Sequence, residues 1–299
     1  MTEITGIHHV TCISGDAQEN LDFYTGVLGM RMVKKSVNQD APDTYHLFYA
    51  DGDGHPGTDL TFFPWPKMPA MKPGIGLGME VALAVPTGTL GYWSGRLANS
   101  SARVQAEESR FGARALPFID PHGLHVALVE TDDEREFTPW SGSPVPERHQ
   151  IRGIHLVRLL ERDRASTIEF LTATLGFSVL GTEGEWTRLA SGSGRSGELV
   201  EVREDADGRR GAWGTGGVHH VAWRVADQRA ELEMRDRVAK AGRRPTPVID
   251  RFWFESVYFM EPGGALFELA TDGPGFAVDE DPARLGETLV LPPWLEPMR

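Results

Sequence analysis

One cysteine, Cys12, is all that the 299-residue chain carries. An internal disulfide and a metal site built from several thiolates are therefore excluded. Cys12 falls in the first apolar segment and reads as a small core hydrophobe. Long apolar runs are also missing. None approaches the roughly 20 residues that a membrane-spanning helix needs, and the N-terminus has no basic-then-apolar leader pattern, so a cytoplasmic location is expected. Basic residues are outnumbered, 30 Lys and Arg against 43 Asp and Glu, for a net charge of −13. Such a surface repels nucleic acid and anionic membranes. The length allows one large domain or two ordinary ones, and 14 Phe and 8 Trp supply bulk for a core.

Against this background two histidine pairs stand out. His8-His9 lies in the text GIHHV and His219-His220 in GVHHV, more than 200 residues later. Branched apolar neighbours mark both as strands. Adjacent strand residues point to opposite faces, so one ring of each pair can reach a shared cavity while the other faces elsewhere or lines its edge. Imidazole is the commonest protein metal ligand.

The chain also repeats itself. Residues 6–30 align with 153–177 without a gap: GIHHV matches GIHLV, and FYTGVLGM matches FLTATLGF. Each copy predicts a strand followed by a helix, with Leu21, Tyr24 and Leu28, or Ile168, Leu171 and Leu175, on one face. Gly29 and Gly176 stand where a helix C-cap glycine belongs. Further on, RFGARALPFIDPHG (110–123) parallels RFWFESVYFMEPGG (251–264), and HVALVE and LFELAT follow as closing strands. The expected fold is α+β, with four βαβββ modules paired into two cup-shaped sheets, since one module cannot bury both faces of its sheet. The modules fall near 5–65, 76–132, 152–203 and 216–272. They make an N-terminal domain (5–132), a C-terminal domain (152–272) and a tail (273–299).

Comparing repeats places a ligand set. The strand-one slot is the second histidine of each pair, His9 or His220. The third module has Leu156 there and His155 on the wrong face; the second has Met79 or Glu80. On the closing strand of the fourth module Glu268 lies between Phe267 and Leu269, a costly place for an acid that nothing pairs. Its counterparts are Ala127 and, within one residue, Phe62. His9, His220 and Glu268 are thus expected to share one cup, with no fourth protein ligand. Two histidines and one carboxylate with open positions are the ligand set of non-haem Fe(II) oxygenases. A satisfied core histidine or a buried ion pair is the competing reading. His46, His55, His122, His125 and His149 read as loop or surface histidines.

Taken as a set, HHVT (8–11), RMVKKSVNQD, YHLFYAD, HPGTDLTFFP, GVHHVAW (217–223), RFWFESVYFMEPGGALFELATD (251–272) and GFAVDEDPARLG resemble the vicinal oxygen chelate superfamily of glyoxalases, bleomycin-resistance proteins and extradiol dioxygenases. Within it the chain is similar to ring-cleaving dioxygenases acting on hydroquinones. The resemblance covers most of the chain and implies metal ligands from the first and last modules. It implies pocket residues at His8, Thr11, His219, Arg251 and Tyr258, with Arg251 facing a developing anion and Tyr258 or His219 exchanging protons. The expected cofactor is Fe(II), with Mn(II) second, and the expected partners are a small aromatic diol and O2; a homo-oligomer stays open. Two other readings remain. A glyoxalase-type lyase or isomerase would want a fourth ligand, which Phe62 does not provide. A metal-free binding protein would need neither the histidines nor Glu268.

Overall fold

The computed structural model describes residues 3–299. Its four modules follow the expected order. The first runs β1 (Ile7–Ser14), α1 (Ala17–Leu21), β2 (Arg31–Asn38), β3 (Ala41–Ala50) and β4 (Asp59–Pro64). The second has β5 (Leu77–Val85), α2 (Leu90–Ala98), the short β6 (Arg103–Val104) and β7 (Glu108–Arg110), then β8 (Ala113–Ile119) and β9 (His125–Glu130). The third has β10 (Gly153–Glu161), α3 (Arg164–Glu169), β11 (Ser178–Glu183), β12 (Trp186–Ala190) and β13 (Leu199–Glu204). The fourth has β14 (Val218–Val225), α4 (Gln228–Lys240), β15 (Ile249–Asp250), β16 (Glu255–Met260) and β17 (Leu266–Thr271).

Local sequence explains the recurring strand-to-helix step. Asp16, Asp163 and Asp227 each cap the helix that follows, accepting backbone N–H bonds from its first turn. In modules one and three the helix then widens into a π-turn, Asp22–Val27 and Phe170–Thr174. The extra residue per turn lets the adjacent Phe23 and Tyr24 both reach the core. Gly29 (φ 72°) and Gly176 (φ 82°) end these turns in the left-handed region, as their C-cap positions require.

Pairing follows modules, not halves. One sheet has the order β15-β16-β17-β14-β1-β4-β3-β2 and joins module four to module one. The other, β11-β12-β13-β10-β5-β9-β8-β6 with β7 on β8, joins modules three and two. In each sheet the first strands of two modules meet antiparallel at the centre, β1 with β14 and β10 with β5. An approximate two-fold axis therefore passes through each sheet. Helices and outer faces share one apolar core that includes the fully buried Trp93 and Trp223; each such ring contributes about 2–3 kcal/mol by leaving water. The tail packs on the face of the first sheet away from the helices, with Phe276 against Phe48 and Trp253, and Val290 N–H bonds the Lys35 carbonyl at 3.0 Å along the free edge of β2.

Candidate metal centre

The two histidine pairs break strict alternation. The ladder between β1 and β14 passes from Ile7↔Trp223 to His9↔Ala222, skipping His8, and from Thr11↔His220 to Cys12↔Val218, skipping His219. Each pair is thus a β-bulge, in which the extra residue is turned beside its neighbour. The two bulges match: Nδ1 of the first ring lies 2.9 Å from Nδ1 of the second in both pairs. The second rings, His9 and His220, turn their Nε2 atoms toward each other at 3.3 Å.

Glu268 completes the group. It stands on β17 beside Ala222 of β14, two residues past His220. Its Oε2 lies 3.3 Å from His9 Nε2 and 2.9 Å from His220 Nε2, while Oε1 accepts the Ser256 hydroxyl at 2.5 Å. Among the described residues nothing donates a hydrogen bond to the buried Oε2. Burial pushes the Glu268 carboxyl up, but His9 and His220 outweigh it and hold it well below the usual range. Three buried donor atoms within 4.8 Å of one another, one left without a hydrogen, fit a divalent cation.

The sequence comparison needs one correction at the fourth position. On β4 the residue beside Thr11, two past His9, is Thr61. Thr61, not Phe62, is therefore the mate of Glu268; Phe62 faces the opposite way and packs on Tyr24 at 4.4 Å between ring centres. The hydroxyl of Thr61 bonds Thr11 at 2.8 Å and His46 Nε2 at 2.9 Å.

The second sheet shows what happens without histidines. There Glu80 pairs with Arg158 as His220 pairs with Thr11, which assigns the strand-one slot to Glu80 and the bulge to Met79. Leu156, Ala127 and Glu201 fill the other positions. Arg110 clasps Glu80, and Arg158 and Arg188 both hold Glu201. Closed ion pairs replace metal donors. His155 turns away to Ser196 at 3.0 Å.

A cavity of about 480 Å³ opens from the metal donors toward solvent, within the range of small-molecule sites. Phe48, Phe63, Trp65, Trp253 and Phe254 line it together with His9, His219, His220, Arg251 and Tyr258. Of the expected pocket residues, His219, Arg251 and Tyr258 face this space. Thr11 lies beneath it, bonded to Thr61, and His8 is buried behind His9. Phe254 packs on both His8 and His9, at 5.3 Å from each ring. Arg251 is gripped by Asp40 through its two terminal guanidinium nitrogens, at 3.2 and 2.8 Å, and lies 5.3 Å over the Tyr258 ring. Burial, reinforced by the adjacent His9 or His220 ring, lowers His8 and His219 to about 3, so both are neutral imidazoles.

Two contributors escaped the sequence reading. His46 is no surface histidine: it stands on β3 with its ring 3.8 Å from Phe48 and 4.4 Å from Phe63, and it lines the cavity. Its position in YHLFYAD, alternating with Phe48, was the available signal. Trp213, on the segment between β13 and β14, stacks on His219 at 4.6 Å; no periodicity in that glycine-rich stretch announces it.

Comparison with known proteins bears on this geometry. The profile of the Glyoxalase/Bleomycin resistance protein/Dioxygenase superfamily matches residues 6–138 and 153–269. A Bacillus subtilis (strain 168) protein named "Putative ring-cleaving dioxygenase MhqO" is 41% identical over 294 residues, spanning 98% of this chain and 93% of its own. Chlorohydroquinone/hydroquinone 1,2-dioxygenase of Sphingobium indicum is 34% identical over 301 residues, 98% of this chain and 93% of that protein. A crystal structure from Bacillus subtilis subsp. subtilis str. 168 superposes with a TM-score of 0.95 at 39% identity, covering 100% of this chain and 95% of the other. Glyoxalase I from Zea mays shares the fold at a TM-score of 0.68 and 15% identity, over 89% and 92% of the two chains.

Proposed function

Because the chain belongs to the glyoxalase/bleomycin resistance protein/dioxygenase superfamily, we propose that it is an extradiol-type ring-cleaving dioxygenase of hydroquinone-like diols that uses Fe(II) held by His9, His220 and Glu268. The observation that carries this reading is the donor set: two imidazoles and one carboxylate converge, and Thr61 stands where a fourth ligand would come from. Such a set leaves positions open for substrate and O2. A glyoxalase-type reaction would want the fourth donor. Fe(II), when bound, supplies the centre at which an ionised diol and O2 meet and exchange electrons.

The chain's own residues prepare that encounter. His9 and His220 offer Nε2 to the metal, so each carries its proton on Nδ1 and donates it to the neighbouring His8 or His219. Outer partners of this kind fix the tautomer and orientation of a ligand ring. His8 and His219 must then be protonated on Nε2. In His219 that N–H belongs to a ring lining the cavity, placed to exchange a proton with a diol. Phe254 and the aromatic wall hold a flat ring and exclude water, which strengthens every charge interaction within. Arg251, kept in place by Asp40, presents a cation to negative charge developing on the opening ring. Holding the reactants together removes much of the entropic barrier.

Anaerobic loading with Fe(II) followed by oxygen-electrode measurements over para- and ortho-diphenols tests the proposal. O2 uptake with formation of a ring-opened acid is expected, and His9→Ala, His220→Ala or Glu268→Ala should stop it. Iron-loaded protein that consumes no O2 with any diphenol would sink this reading.

A further inference from the structure

The approximate two-fold axis through the metal-binding sheet gives each residue of module four a mate in module one. Tyr258 of β16 pairs with Glu268; Phe48 of β3 pairs with Thr61. Two residues earlier on each strand stand Ser256 and His46. Ser256 gives its hydroxyl to Glu268, and His46 Nε2 meets the Thr61 hydroxyl. Where module four has a ligand carboxylate braced by a serine, module one has a threonine braced by an imidazole. The side of the cup with no fourth ligand is therefore floored by Thr11, Thr61 and His46.

Each of the other polar side chains on module one's part of the cavity wall, apart from the histidines, already has a partner within the protein. Asp40 holds Arg251, Gln39 donates to the Arg251 carbonyl at 2.8 Å, and Asn38 accepts the Asp40 N–H at 3.0 Å. Beside His9, the rest of that wall is apolar: Ala41, Phe48, Phe63 and Trp65. His46, wedged between the two phenylalanines, keeps Nδ1 without a partner among the described residues. We propose that His46 is a specificity-determining residue: its Nδ1 meets the second hydroxyl of the aromatic diol. The inference rests on the diol-cleaving reading above.

The chemistry suits a hydroxyl in either tautomer. If Thr61 donates to Nε2, Nδ1 carries the proton and donates to the substrate oxygen; if Nε2 donates to Thr61, Nδ1 accepts from the substrate O–H. A methyl group in place of the hydroxyl satisfies neither and strands a polar nitrogen against an apolar substituent.

Anaerobic titration of the Fe(II)-loaded protein with hydroquinone and with 4-methylphenol tests this without turnover. Both ligands offer one phenolic oxygen to the metal and differ only at the far group. Wild type should bind hydroquinone on the order of 10-fold tighter, the size of one hydrogen bond lost in a buried site. His46→Phe and His46→Leu should erase the preference while keeping their iron, and His46→Gln should restore part of it. A preference unchanged in the iron-bearing Phe or Leu variant, no preference in wild type, or loss of iron by both variants would each overturn the proposal, the last by making His46 a support of the metal site. Wild type that discriminates between the ligands yet consumes no O2 with hydroquinone would remove the dioxygenase reading and leave hydroxyl recognition by His46 standing.

Discussion

Thr61 and Glu268 occupy the same place in their modules, each beside the residue two past His9 or His220, Thr11 on β1 and Ala222 on β14. One can ligate a metal and the other is too short. Four donors saturate more of a metal than three, so this single difference separates a closed site from one with room for two reactants. Replacing Thr61 by glutamate should supply the missing donor. Thr61→Glu is expected to bind metal at least as tightly as wild type and to lose about 100-fold in diol-dependent O2 uptake, a loss of about 2.7 kcal/mol of transition-state stabilisation. Metal analysis beside an oxygen electrode checks it; full O2 uptake in the metal-loaded variant would show that the fourth position is not what keeps the site open.

The bulged rings make a second prediction. His8 and His219 take the outer N–H of the ligand rings at 2.9 Å. His8→Ala should weaken metal binding by about 10- to 100-fold, the usual cost of losing such a partner. Competition with a coloured chelator measures it, and unchanged affinity would mean that the ligand rings need no outer acceptor.

Lys34 ties the tail to the cup. Its ammonium is fully buried and meets the Phe276 carbonyl at 2.9 Å, Asp279 at 2.7 Å and Glu280 at 2.5 Å, all from the tail. Asp279 also accepts the indole N–H of Trp253, which lines the cavity. Lys34→Met leaves two carboxylates facing each other without their cation and should cost about 3 kcal/mol in urea unfolding. A loss below about 1 kcal/mol would show that the tail is held by its apolar contacts alone.

Glu161 sets a pH dependence. It lies at the end of β10 with both carboxylate oxygens buried and without a hydrogen-bond partner among the described residues; burial, with Glu261 nearby, pushes it to about 9. The folded state holds this proton and the unfolded chain does not once pH exceeds its ordinary value of 4.5. The stability it contributes is thus fully present below about pH 4.5 and is lost as pH rises toward 9. Glu161→Gln should therefore be more stable than wild type at pH 8 and no more stable at pH 4.5, measured as melting temperature against pH. Parallel curves for the two proteins would show that Glu161 is not held protonated.

What the sequence disclosed follows from what repeats encode. A constant offset between modules compares like with like, and an acid set between Phe267 and Leu269 is conspicuous because burial without a partner is costly. Those two signals suffice to bring His9, His220 and Glu268 into one cluster shared by the first and last modules. The bulges at His8 and His219 were not legible, because they arise from ladder pairing between strands more than 200 residues apart. The one-residue doubt between Phe62 and Thr61 has the same origin: a loop of unknown length hides the register, and one step flips the face. His46 and Lys34 depend on distant partners, Thr61 through a sheet and Asp279 through a tail outside the repeats, which no local pattern reports.

The central claim is that His9, His220 and Glu268 form one metal site. Anaerobic calorimetric titration of Fe(II) into wild type and Glu268→Gln tests it most directly, since glutamine keeps the shape and removes the charge. A single saturating site in wild type that vanishes in Glu268→Gln is the result this account predicts. Equal binding by the two proteins would contradict it.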